Sequence, residues 1–97
     1  EYDPGLSLLR IEFTDTANKQ LKKLDREAGA RIVDYLYNRV ALVSDPRTLD
    51  KPLVGEGFKG LWRFRVGDYR IICDIVDEQL VVVVLATGHR RDVYRES

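Results

Sequence analysis

Arg63, Arg65 and Arg70 are the side chains best placed by type and spacing to do chemistry. They belong to Leu61-Trp62-Arg63-Phe64-Arg65-Val66-Gly67-Asp68-Tyr69-Arg70, a run that predicts a β-hairpin turning at Gly67-Asp68. With that turn, Val66 pairs with Tyr69, Arg65 with Arg70 and Phe64 with Ile71. Alternation then puts Trp62, Phe64, Val66, Tyr69, Ile71, Cys73 and Ile75 on one face and the three arginines on the other. Like charges directly across a strand pair destabilise it, by some tenths up to about 1 kcal/mol. A patch that tolerates this suits a bound polyanion. The plainer reading is a solvated sheet face with counterions.

A second group follows the last apolar run: Gly88-His89-Arg90-Arg91-Asp92-Val93-Tyr94-Arg95. Cations there would neutralise charge developing on a phosphodiester, while His89 or Tyr94 moved protons. Each residue also has a simpler use. His89 can be a hydrogen-bonding surface residue and Tyr94 an anchor for the tail. Arg91 with Asp92 and Arg95 with Glu96 can be exposed ion pairs, worth about 0–1 kcal/mol. Only beside the hairpin does the tail gain weight. Other chemistries find little support. One His and one Cys leave a transition-metal site dependent on scattered carboxylates, so neither metal nor cofactor is expected. Gly55-Glu56-Gly57 lacks the Gly-Lys-Ser/Thr of a phosphate loop. Lys22, Lys23 and Arg26 read as a solvated face with an optional RNA-backbone contact, and Tyr35 and Tyr37 as packing or partner contacts.

These groups need a scaffold, and its elements are legible. Leu8 to Phe13 alternates as a first strand. Thr14 or Asp15 caps a helix with Ala17, Leu21 and Leu24 on one stripe. Asp25 caps a longer helix with Ala28, Ile32, Leu36, Val40 and Val43 inward, stopped by Ser44-Asp45-Pro46. Arg47 to Gly60 reads mostly as loop. After the hairpin comes a turn at Asp77-Glu78, then Leu80 to Leu85, apolar on both faces as a central strand sheltered on both sides would be. The predicted fold is α+β: strand, two helices, then a three-strand meander, with the helices packed on one face of a mostly antiparallel sheet. The arginines look outward.

The 97 residues are expected to form one domain, its residues 1–7 disordered or foreign to the protein. Formal net charge is zero, which argues against gripping nucleic acid by bulk charge; an anion site would be a local patch with the acids placed elsewhere. The single cysteine, Cys73, excludes a disulfide framework and reads as a buried thiol in a reducing cytosol. No apolar run is long enough to span a membrane and no signal-peptide pattern is seen, so a cytoplasmic location is expected.

Taken together, Phe13-Thr14-Asp15-Thr16-Ala17, Lys51-Pro52-Leu53, Gly60 through Ile72, and Gly88-His89-Arg90-Arg91-Asp92-Val93-Tyr94 resemble the RelE family of toxin–antitoxin toxins, over essentially Leu8 to Ser97. The tail leans toward RelE over ParE. The resemblance implies a small α+β toxin that enters the ribosomal A site and cuts mRNA without a metal. The 2′-hydroxyl attacks the adjacent phosphate, leaving a 2′,3′-cyclic phosphate and a 5′-hydroxyl. It also implies a cognate antitoxin that wraps the toxin, the complex binding operator DNA. By resemblance, Arg70 stabilises the phosphorane-like transition state, and Arg90 contacts phosphate or protonates the leaving group. Tyr94 stacks on the substrate or deprotonates it. Arg63 takes the place of a catalytic lysine in some members, and Lys59, Arg65 and Arg91 supply RNA contacts.

This sequence departs from the family pattern at Leu61, where some members are basic, and at Arg63. A guanidinium is a poor proton acceptor, so the general base falls to Tyr94, then His89. Two other readings stand beside the nuclease: a ParE-like inhibitor of DNA gyrase, and a catalytically inert homologue acting as co-repressor.

Overall fold

The computed structural model describes residues 9–53, 60–89 and 91. The expectations for 1–7, Lys59, Arg90 and Tyr94 lie outside the described residues. The order is β1 (Arg10–Phe13), α1 (Asp15–Lys23), α2 (Arg26–Asn38), β2 (Lys51–Pro52), β3 (Trp62–Val66), β4 (Tyr69–Val76) and β5 (Val81–His89). The sheet runs β1-β5-β4-β3-β2, with only the β1–β5 pair parallel. Both helices pack on one face, as expected of an α+β domain.

The helix starts follow from side-chain chemistry. Thr14, rather than Asp15, caps α1: its hydroxyl accepts the Ala17 N–H at 3.1 Å and donates to the Leu85 carbonyl at 3.3 Å, tying the cap to β5. Asp25 caps α2 through the Ala28 N–H at 2.7 Å. The helical stripes supply Ala17, Ile32 and Leu36, which close over Phe64, Ile71, Cys73, Val82 and Val84 of the sheet. Phe64 is the largest side chain fully removed from water.

Four expectations need correction. α2 ends at Asn38, where Arg39 leaves helical geometry, and Val40 reaches the core from a separate 3-10 turn, Val40–Leu42. Asp45 therefore stops no helix; its carboxylate accepts the Arg47 N–H and starts another short turn at Pro46–Thr48. The stretch read as loop contains β2, which makes the meander four strands; Pro52 is tolerated there because β2 is a sheet edge. Leu80 is not in the last strand: its backbone is left-handed at φ 54° and the residue is 60% exposed. β5 instead continues to His89 across an irregularity opposite Ile72 and Cys73, where Ile72 pairs with Ala86 and Cys73 with Val84. Leu85 is the extra residue, so the side facing the helices passes from Val84 to Thr87.

Thr87 is the polar member of that face, and it is satisfied. Its hydroxyl donates to the Ala17 carbonyl at 3.4 Å and its N–H donates to Gln20 Oε1 at 2.9 Å. The sheet's other face is partly sheltered, since Ile72 and Val81 are buried there.

Candidate functional site: the arginine face of the hairpin

The hairpin forms in the register its alternation predicts: Val66 opposite Tyr69, Arg65 opposite Arg70, Phe64 opposite Ile71. Gly67 takes φ 61°, the left-handed backbone that a tight two-residue turn asks of its first residue. The closing pair is Val66–Tyr69, so Arg65 and Arg70 face each other at the next rung, with both side chains on the face away from the helices. Arg63 follows on the same face, and β2 adds Lys51 directly opposite it.

The arginines are not equivalent. Arg63 Nη2 and Arg65 Nε both donate to Asp50, at 3.3 Å to Oδ1 and 3.4 Å to Oδ2, and the Arg65 backbone N–H donates to Oδ2 at 2.9 Å. Only 5% of the Asp50 side chain is exposed. Burial pushes its carboxyl up, but the Arg65 N–H, the Arg63 hydrogen bond and the two positive charges outweigh burial and hold it below the ordinary carboxylate value. The expectation that acids lie elsewhere is thus corrected. A carboxylate sits at the edge of the patch.

Arg70 has a different environment. Nη1 donates to the carbonyls of Gly67 at 3.2 Å and Tyr69 at 3.0 Å, and among the described residues no carboxylate pairs with it. Its neighbour across β5 is Gly88, which places no side chain beside it. An uncompensated guanidinium, held by its own turn and flanked by Arg65, is the feature of this face best suited to a phosphate.

His89 does not join that face. It pairs with Tyr69, and the two rings meet edge to face at 5.7 Å, so its side chain stands on the helix side of the sheet. Its Nδ1 accepts the Arg91 N–H at 3.2 Å, which leaves the ring proton of the neutral imidazole on Nε2. Arg91 itself is exposed. On that same side, Arg31 of α2 reaches the turn, its Nη2 lying 3.4 Å from where a Cβ on Gly67 would be. Asp50 and Arg31 escaped the sequence reading, and Lys51 entered it only as part of a motif, without a place on this face. For Arg31 a signal existed, since it stands one helical turn before Tyr35, which packs near Phe64.

Tyr35 and Cys73 are not reactive groups here. Burial raises the Tyr35 phenol, Arg39 draws it back and Asp50 pushes it up again. Burial drives the Cys73 thiol far above its ordinary value, with Asp74 adding to it. Among the described residues no three His, Cys, Asp or Glu side chains gather as a metal site, and no helix is long and apolar enough to cross a membrane. A second surface opens between α1 and α2, at the outer margin of the core. Leu21, Leu24, Ala30 and Val33 line it, with Lys22, Arg26 and Asp34 around them.

Strand order, helix placement and a basic hairpin face define a small α+β domain, and likeness to known proteins supplies its class. The chain belongs to the RelE/ParE superfamily of toxins of type II toxin–antitoxin systems, and the family model described as the ParE toxin of the type II toxin-antitoxin system parDE matches residues 11–94. Toxin RelG of Mycobacterium tuberculosis (strain ATCC 25618 / H37Rv) is 35% identical over 85 residues, covering 88% of this chain and 94% of that toxin. Toxin RelE of the same organism is 31% identical over 85 residues, covering 88% and 84%. The fold matches a chain of the RelBE2 toxin–antitoxin complex from M. tuberculosis with a TM-score of 0.78 at 30% identity, over 95% of this chain and 100% of that one. It also matches the isolated E. coli RelE toxin with a TM-score of 0.65 at 19% identity, over 84% and 83%, which bears on fold alone.

Proposed function

We propose that this toxin is a ribosome-dependent endoribonuclease that cuts mRNA in the ribosomal A site. The observation that carries the proposal is Arg70, a guanidinium that pairs with no carboxylate among the described residues and shares its sheet face with two further arginines. In the proposed reaction the 2′-hydroxyl attacks the adjacent phosphorus, and negative charge grows on the non-bridging oxygens as the 5′-oxygen departs. Arg70 meets that charge, with Arg63 and Arg65 beside it. None of the three can take the 2′-hydroxyl proton, because a guanidinium stays protonated at any physiological pH. That step is assigned to Tyr94 and leaving-group protonation to Arg90, with Lys59 and Arg91 as RNA contacts. His89, with Nδ1 already engaged and its ring across the sheet, drops behind Tyr94. No metal is invoked.

We further propose that a cognate antitoxin silences the toxin by laying an amphipathic segment in the α1–α2 groove and covering the arginine face. Relatives are found in toxin–antitoxin complexes, which supports this partner. Operator DNA is bound through that complex.

Primer extension on mRNA in a purified translation system tests the function. Cuts are expected only with ribosomes and only without antitoxin, and they vanish with Arg70→Ala. One observation favours a second reading: the matching family model is that of ParE toxins. If supercoiling by purified gyrase stops while translation continues, the gyrase reading replaces the nuclease. Normal growth on overexpression would point to an inert homologue.

A further inference from the structure

Two of the three hairpin cations answer to one carboxylate that no sequence motif singles out. We propose that Asp50 is a positioning residue of the arginine face: it fixes the directions in which Arg63 and Arg65 present their remaining N–H groups to the phosphate. The inference rests on the nuclease reading above.

Asp50 is held where the sheet runs out. β2 pairs with β3 only at Lys51–Arg63 and Pro52–Trp62, so the Arg65 N–H, which points to that edge, has no strand carbonyl to meet. Asp50 Oδ2 accepts it instead at 2.9 Å. The carboxylate, its side chain 5% exposed, accepts from three donors at once, and leaving them would strip it of all three, so Asp50 stays in place when an anion arrives. That makes it a frame and not a gate.

The contacts also choose which atoms are used. Asp50 takes Nη2 of Arg63 and Nε of Arg65. Both Nη groups of Arg65 and Nη1 of Arg63 have no hydrogen-bond partner among the described residues and are left for a substrate oxygen. Arg63 Nε is buried without a partner among the described residues, so the Asp50 bond is what sets that guanidinium's orientation. The three groups together carry one net positive charge rather than two. Ground-state attraction for RNA is thereby reduced, while directed donors remain where charge develops in the transition state.

The test is single-turnover cleavage on purified ribosomes by the wild type, Asp50→Asn, Arg63→Ala/Arg65→Ala and the triple variant. Asparagine keeps an acceptor for the Arg65 N–H but loses the charge. Asp50→Asn is expected to cut about tenfold to hundredfold more slowly at saturating ribosomes, with a half-saturating concentration equal to or below the wild type's. In the background lacking both arginines the same change should cost less than about threefold, because its effect passes through them. An equal loss in both backgrounds, or none in either, overturns the proposal. A wild type that never cuts on ribosomes fails the nuclease reading instead. In that case, or if Asp50→Asn does not fold, side-chain 15N NMR of the wild-type toxin decides. Slow guanidinium rotation at Arg63 and Arg65 supports positioning by Asp50, and rotation as free as at exposed Arg31 refutes it.

Discussion

Arg70→Ala should separate stability from activity, because the two effects have different origins. Arg70 faces Arg65 at one rung of the hairpin, and like charges so placed cost about 0.2–1 kcal/mol, which the substitution relieves. Asp50 already offsets Arg65, so the relief belongs at the lower end of that range. Against it stands the loss of two hydrogen bonds to the Gly67 and Tyr69 carbonyls, one exposed and one partly buried. Bonds of this kind are worth about 0.5–1.5 kcal/mol each, less where water replaces them. The sum lies within about 1 kcal/mol of zero, so the melting temperature should move by no more than about 4–8 °C. Removing a preorganised donor from a developing oxyanion costs about 100-fold to 1000-fold in rate. Thermal melts and single-turnover cleavage on ribosomes would be measured on one preparation. A drop of more than about 15 °C would make Arg70 a structural residue, whereas full cleavage by a folded variant would remove it from the site. Arg70→Lys should fall between, since an ammonium cannot hold the turn carbonyls and a phosphate in the same geometry.

Other outcomes follow from the same contacts. Phe64→Ala empties the largest fully buried site and should cost about 3–5 kcal/mol, read by urea unfolding, enough to leave a domain of this size marginal. Thr14→Ala loses both the α1 cap and the link to Leu85 and should cost about 0.5–2 kcal/mol in the same assay. Asp50 has a folded pKa below its unfolded value, so its stabilisation is complete above the unfolded value near 4 and fades as pH falls through the folded one. The melting-temperature gap between wild type and Asp50→Asn should therefore be open at pH 7 and close below about pH 4; a gap unchanged at low pH would assign the cost to packing. Val33→Asp, in the α1–α2 groove, should abolish antitoxin binding in a pull-down while ribosomal cleavage persists.

The hairpin was legible because its two faces differ in kind: aromatic and aliphatic side chains alternate with arginines, so a slip of one residue would have buried guanidiniums. β5 carried no such constraint. Val81 to Leu85 is apolar at every position, and an extra residue at Leu85 leaves the hydrophobic pattern looking the same. Yet that residue shifts everything after it, which is why His89 stands beside Tyr69 and not beside Arg70. Asp50 was hidden for another reason. It lies 13 residues from Arg63 in a stretch without periodicity, and its role comes from the edge of β2, a strand too short to announce itself. The consequence reaches back to the first argument from sequence. Three like charges on one face suggested an external anion, but two of them already have an internal one, so among the described residues only Arg70 keeps the force of that reasoning. A cluster of arginines is thus a weaker sign of polyanion binding than a single guanidinium left unneutralised among them, and here the sequence spacing alone could not tell the two apart.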